Sequence, residues 1–466
     1  MSDDSANIQE NAGTLIEPVQ PNERIQTLDV LRGFALFGIL FVNVTAMVQP
    51  VHWFTVHWET LGPVNYAVEA LKIFFTQGKF YSLFAFLFGL GFAVQLARAE
   101  RAGRKFAARF FWRVFLLWLI GVVHFVLLWD GDILNTYGIA GMLLLLFYGM
   151  KRGIDRLVRR FSKGRREKMP RWTALVMAGL LMFGPLLAFA GFINHAFDVR
   201  AHAATGATLS ESEQNVMKQL EAMEDPAAQE EREQRQAREE EIYATGSYLD
   251  VVGLRIEKSS RMLAGPFWFM VAGLFMVGAY FGRNNFIGRA AELRSGFRKL
   301  LLASALIGVP LSALFLYALI TQPEQQSLSW WQWVNFFSKS ASGLAFALFY
   351  VAGISLLMLT GARRWLEFFA PVGRTALSNY LLQSLIGTFV FYGYGLGLVG
   401  KLDATEQLVY IALLFAGQVW LSRWWLARFR FGPAEWLWRS LTYGKRQPMR
   451  IRKASIDTPL AGSHSG

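Results

Sequence analysis

RIQTLDVLRGFALFGILFVNVTAMV, residues 24–48, decides the class of this chain. From Leu28 to Val48 the run is apolar over the roughly 20 residues that cross a bilayer, yet its first turn holds an acid and a base, Asp29 and Arg32. Charges at the mouth of a membrane helix cost too much to be filler, so by default they mark a functional pathway. Three residues apart, Asp29 and Arg32 share a helix face and can pair. Asn43, eleven residues beyond Arg32, returns to that face about 16 Å further along. A structural ion pair plus an interhelical hydrogen bond from Asn43 accounts for the same residues without function.

Composition places the whole chain with that segment. Of 466 residues, 53% are hydrophobic, 15% aromatic and only 17% charged, with a positive mean hydropathy, which fits a polytopic membrane protein. The net charge of +13 does not indicate nucleic acid. The basic residues cluster beside apolar runs, where they fix orientation and meet anionic lipid. The absence of cysteine excludes a thiol nucleophile, a disulfide framework and a Cys-ligated metal. No HExxH-like spacing is present, and no metal is expected.

Apolar runs of bilayer length fall near 28–48, 80–97, 110–128, 133–149, 172–193, 265–281, 299–320, 336–359, 375–398 and 406–426. The expected fold is an all-α bundle of about ten transmembrane spans. Between the second and third lie Arg98, Arg101, Arg104, Lys105, Arg109 and Arg113, and ten basic residues lie between Lys151 and Arg171, whereas 129–132 and 321–335 have none. The positive-inside bias therefore predicts both termini in the cytoplasm. The chain divides into a polar N-terminal tail (1–23), a first bundle (24–193), an acidic extracytoplasmic arm (194–264), a second bundle (265–445) and a basic tail (446–466). The arm, with eleven acidic and four basic residues from Glu211 to Glu241, reads as a solvated spacer or as a lid over an external site. YAVEALKIFFTQGKF, residues 66–80, reads as a helix lying in the interface with its aromatic face down.

Three groups could carry chemistry. His52 and His57 follow the first span among tryptophans. His124 lies in GVVHFVLLWDGDILNTYG near the end of the third span, followed by Asp130, Asp132 and Tyr137. Imidazole near a carboxylate is a common general-base arrangement. The ninth span, GRTALSNYLLQSLIG, sets Asn379 over Gln383 and Tyr380 over Ser384, a polar ladder facing protein rather than lipid. Near the C-terminus Glu435 and Arg439 stand at i and i+4, a self-satisfied pair on a short helix.

Five strings in order, LDVLRGFALFGILFVN, GKFYSLFAFLFGLGF, HFVLLWDGDIL, GRTALSNYLLQS and GPAEWLWR, resemble the YeiB-like family of bacterial inner-membrane proteins. The opening RIQTLDVLRG with FVNV is also distantly similar to membrane-embedded acyltransferases of the heparan-alpha-glucosaminide N-acetyltransferase kind. That resemblance implies an inner-membrane enzyme with no bound cofactor, taking acyl-coenzyme A from the cytoplasm as donor and passing the acyl group to an extracytoplasmic sugar, lipid or small molecule. In such enzymes a histidine just beyond the first span acts on the acyl group, which by position is His57, with His52 beside it. The chain's own pattern offers His124 with Asp132, so the catalytic assignment stays divided. Asp29, Arg32, Asn43, Tyr137, Asn379, Tyr380, Gln383 and Ser384 are the candidate donor- or substrate-binding groups. A transporter or flippase for an amphipathic metabolite is the alternative on the same buried polar face. Membrane lipids are the surrounding partner, and the sequence leaves the oligomeric state open, a dimer included.

Overall fold

The computed structural model describes residues 26–51, 56–103, 106–161, 172–262, 267–321 and 328–451. The regular structure among these residues is helical, apart from one isolated bridge between Phe429 and Arg450. The helices that matter here are α1 (Gln26–Val48), α2 (Pro63–Thr76), α3 (Lys79–Arg101), α4 (Ala107–Leu127), α5 (Leu134–Phe161), α6 (Thr173–Ala204), α7 (Glu211–Glu224), α8 (Pro226–Thr245), α9 (Tyr248–Met262), α10 (Phe267–Arg283), α11 (Arg294–Thr321), α12 (Trp330–Leu357), α13 (Ala376–Phe391), α14 (Ala404–Leu426) and α15 (Pro433–Tyr443). His52, His464 and the terminal tails up to Ile25 and from Arg452 lie outside the described residues.

Among the described residues, seven stretches are long and apolar enough to cross a membrane, with α2 and α3 counted together as Pro63–Arg101. At the other three expected positions lie shorter apolar helices, Leu134–Met150, Phe267–Arg283 and Ala376–Phe391. Ten spans by length thus become seven plus three. The ninth is cut short because the helix stops at Phe391 and the glycine-rich GYGLG turns back on itself, with Gly397 at positive φ. α10 is short but enclosed by α3, α5 and α6.

α1 is the hub, packed against α3, α12, α13, α14 and the short helix Ala370–Arg374. In lipid, helices associate through close backbone approach rather than through hydrophobic burial, and the LDVLRG motif is built for it. A Cβ at Gly33 would collide with the carbonyl of Phe369, and one at Gly373 with the carbonyl of Asp29. The two glycines let Ala370–Arg374 sit directly on the first turn of α1, bringing Arg374 to the end of α1 that carries Arg32.

α2 is amphipathic as expected, with Val64, Leu71 and Phe75 outward, but its polar face does not meet water. Glu69 and Lys72 are buried 2.7 Å apart, and Lys72 also donates to the side-chain carbonyl of Gln407 at 2.7 Å. The polar stripe faces α14, so a pattern that resembles interfacial amphipathicity is a protein contact.

Candidate functional site

The connection from α4 to α5 positions the central pair. His124 lies in the last turn of α4, and its carbonyl accepts the backbone amides of Leu128 and Trp129, both at 2.8 Å, which ends the helix. At the start of α5, Asp132 Oδ2 accepts the Asn135 backbone N–H and side-chain amide, each at 2.8 Å, supplying an acceptor to a donor that a helix N-terminus otherwise leaves unsatisfied. With Oδ2 committed, Oδ1 faces back to α4 and stands 2.8 Å from His124 Nδ1. Gly121, whose missing Cβ leaves room for the Asn135 backbone, lets the two helices come this close.

The His124 and Asp132 side chains are 1% and 0% exposed. Their contact is at ion-pair distance rather than an aligned hydrogen bond, and His124 Nε2 has no hydrogen-bond partner among the described residues. A carboxylate on one ring nitrogen leaves the other as the basic one. Tyr380 of α13 faces the same pair, its ring centroid 5.1 Å from that of His124 and its hydroxyl accepting the Ile133 N–H at 3.4 Å.

Residues 129–137 form a wall between two cavities. On one side a cavity of about 280 Å³ is lined by Trp129, Asp130, Asp132, Asn135 and Thr136, with Ala46 from the far end of α1, Pro50 just beyond that helix and Lys258 from α9. On the other, a cavity of about 200 Å³ is lined by Ile133, Leu134, Tyr137 and Tyr380, with Arg32, Arg113, Arg374 and Arg439 in its wall. Arg32 and Ala46 are fourteen residues apart on α1, about 21 Å, so the cavities lie toward opposite ends of the bundle. His124 stands between them, touching Asp132 of the first and Tyr380 of the second.

The arginine cavity is strongly cationic. Arg32 pairs with Asp29 at 3.4 Å. Arg113 stacks on Trp438 at 3.9 Å and Arg439 on Phe431 at 4.6 Å, which holds the guanidinium planes in place. Glu435, the acid in this wall, is committed to the start of α13, accepting the amides of Leu377 at 2.6 Å and Ser378 at 3.2 Å and the Ser378 hydroxyl. Burial pushes its carboxyl up; the Ser378 hydroxyl and these amides oppose the shift without cancelling it, leaving it above the usual carboxylate range. Arg439, expected to be a structural partner only, lies beside Arg32 in the same cavity.

The other expected residues separate clearly. Tyr137 lies in the arginine cavity with its hydroxyl donating to the Tyr81 carbonyl at 2.7 Å. Asn379 bonds Thr375 and Ser422, Gln383 donates to Gln418 at 2.9 Å, and Ser384 donates to the Tyr380 carbonyl. All three therefore act in packing of α13 onto α14 or within α13, and of that ladder Tyr380 alone faces the His–Asp pair. Asn43 is buried, with its amide nitrogen unpartnered among the described residues, and lines neither cavity. His57 is exposed at a 3₁₀ turn, 3.6 Å from Glu59, and also lines neither. Among the described residues no three His, Asp or Glu side chains gather as a metal ligand set.

Sequence reading missed Lys258 and Tyr243 because both lie in the acidic arm. The arm docks. Lys258 Nζ stands 2.9 Å from Asp130 and 3.1 Å from Glu239, and the Tyr243 hydroxyl donates to Asp130 at 2.7 Å. The Gly393 N–H donates to the Tyr243 carbonyl at 2.8 Å. Burial pushes the Asp130 carboxyl up, but Lys258, Arg255 and Tyr243 outweigh it and hold it below its ordinary 3.8; burial pulls the Lys258 ammonium down, but Asp130 and Glu239 hold it above 10.5. A depressed acid stabilises docking above its unfolded value and loses that as pH falls through its folded value. A raised lysine stabilises below its unfolded value and loses that as pH rises through its folded one. Arm docking is therefore expected to be flat from about pH 5 to pH 10, measured as hydrogen exchange over α8 and α9, and to loosen in Lys258→Ala. Release of α8 and α9 at pH 6 in the wild type would show that these pairs do not hold the arm.

Fold and site together define a polytopic helical membrane protein whose two end cavities approach a buried His–Asp pair from opposite sides. The chain belongs to the YeiB-like family. A family model described as "Protein of unknown function (DUF418)" matches residues 281–445, which include Arg374, Tyr380, Glu435 and Arg439. Uncharacterized protein YxaH of Bacillus subtilis is 32% identical over 93% of this chain and 98% of its own length. Uncharacterized protein YeiB of Escherichia coli is 31% identical over 90% and 96%. An uncharacterized 39.9 kDa protein from the amylase 3′ region of Bacillus acidopullulyticus is 26% identical over 94% and 99%. No solved structure matches the chain.

Proposed function

We propose that this protein is a ten-span inner-membrane acyltransferase, both termini cytoplasmic, which passes an acyl group from cytoplasmic acyl-coenzyme A to an acceptor outside. The observation that carries this reading is His124, buried between a cavity walled by four arginines and a cavity walled by carboxylates and amides. Loop charge puts the arginine end in the cytoplasm, where guanidinium forks suit coenzyme A phosphates. Phe84, Phe88 and Leu117 in the same wall suit an acyl-pantetheine arm. The acceptor occupies the cavity beside Asp130, Asn135, Thr136 and Lys258.

The chemistry follows from the pair. His124 Nε2 takes the proton of the acceptor N–H or O–H as its lone pair attacks the thioester carbonyl carbon. Collapse of the tetrahedral intermediate breaks the carbon–sulfur bond, and the departing thiolate receives that proton as free coenzyme A. Asp132 orients the ring and stabilises the imidazolium formed on the way. Asp29 holds Arg32.

Purified protein in sided proteoliposomes tests the reading. Acyl-coenzyme A supplied at the arginine end should be consumed, with free thiol released, when acceptors are present on the opposite side. Since the chain has no native cysteine, Ser295→Cys reports orientation and should be shielded from an impermeant maleimide in intact cells. The interrupted path between two cavities also fits a transporter. Intact solute crossing the bilayer without thioester loss would establish that alternative.

A further inference from the structure

We propose that the Tyr380 hydroxyl is the donor that stabilises the oxyanion formed when the acyl thioester is attacked, an inference that rests on the acyl-transfer reading above. Two tyrosines reach the arginine cavity near His124, and their hydroxyl protons differ in fate. The Tyr137 proton is spent on the Tyr81 carbonyl at 2.7 Å. The Tyr380 oxygen instead accepts the Ile133 N–H at 3.4 Å, and its own proton has no acceptor among the described residues. The residue is 4% exposed, and a buried O–H without an acceptor in the protein carries a desolvation penalty. Its neighbours on α13 are occupied elsewhere, Asn379 with Ser422 and Gln383 with Gln418. A preorganised donor with no internal acceptor, placed in the donor cavity and in ring contact with the general base, has the requirements of an oxyanion site.

The acceptor that fits is a carbonyl oxygen delivered to the inner end of that cavity. As the nucleophile bonds to the carbonyl carbon, the π pair moves onto oxygen and the Tyr380 O–H donates to it. When the carbon–sulfur bond breaks, the pair returns and the hydrogen bond relaxes. Tyr380 keeps its proton throughout, since His124 carries the one that moves.

The test compares Tyr380→Phe with the wild type in a steady-state thioester assay, alongside calorimetric binding of coenzyme A. Loss of the hydroxyl should lower kcat about a hundred- to thousandfold with coenzyme A affinity unchanged. A protein carrying a fluorotyrosine at position 380, with a more acidic phenol and the same shape, should keep or exceed the wild-type kcat, a response that a packing role would not give. Wild-type kcat in Tyr380→Phe, or a fall in affinity as large as the fall in kcat, overturns the assignment. Wild-type protein that consumes no thioester overturns the acyl-transfer reading and this one with it, a result distinct from an active wild type beside an active Phe variant.

Discussion

His124→Ala is expected to lower acyl-coenzyme A consumption by about a hundred- to ten-thousandfold, the range a positioned general base contributes, while coenzyme A affinity stays near wild type. The arginines that would hold the donor belong to the cavity on the far side of Tyr380, and the imidazole is not part of that wall. Asp132→Asn should share most of the loss, because the amide can still cap α5 through its oxygen but no longer presents a carboxylate to Nδ1. His57→Ala is the matched control. His57 is solvent-exposed beside Glu59 and lines neither cavity, so its removal should leave turnover unchanged. Full activity in His124→Ala with loss in His57→Ala would move the chemistry to the loop after α1 and discard the two-cavity mechanism.

Arg32→Ala should weaken coenzyme A binding about ten- to a hundredfold, the loss of one charge-assisted hydrogen bond worth about 1.5 to 3 kcal/mol. Arg439→Ala should do the same, because both guanidinium groups wall one cavity. The sequence taken alone favours a different outcome, with Arg439 silent because Glu435 stands one turn before it. In the structure the Glu435 carboxylate also accepts the amides at the start of α13, and Arg439 lines the same cavity as Arg32, Arg113 and Arg374. The Arg32→Ala, Arg439→Ala double variant should lose more than either single variant, with kcat at saturating donor largely retained. Isothermal calorimetry with coenzyme A reads the affinities. Wild-type affinity in both single variants would remove the arginine cavity from donor binding.

The helical membrane class was legible in the sequence because it rests on local quantities. The length of each apolar run and the basic residues beside it are written in consecutive positions, and each of the ten expected segments overlaps a helix of the structure, the ninth only as far as Phe391. Asp29, Arg32, His124 and Tyr380 were legible for a related reason, since an ionisable or polar group in an apolar helix stands out wherever the chain goes, and Asp132 because it follows the third apolar run within a few residues. What consecutive positions do not encode is which polar groups satisfy one another. Asn379, Gln383 and Tyr380 look alike along the ninth span. Only the placement of Ser422 and Gln418 on α14 makes two of them packing contacts and leaves Tyr380 facing His124.

The acidic arm makes the same point over a longer distance. Its charge pattern is that of a solvated helix, and local composition carries no sign that Tyr243 and Lys258 reach Asp130 across 113 and 128 residues. Likewise, α2 resembles an interfacial helix until its polar face is seen against Gln407. Local hydropathy determined the helices, their membrane class and the unusual side chains within them. The tertiary structure alone decided which of those side chains meet, because a buried polar group is satisfied by partners that are near in space and remote in sequence.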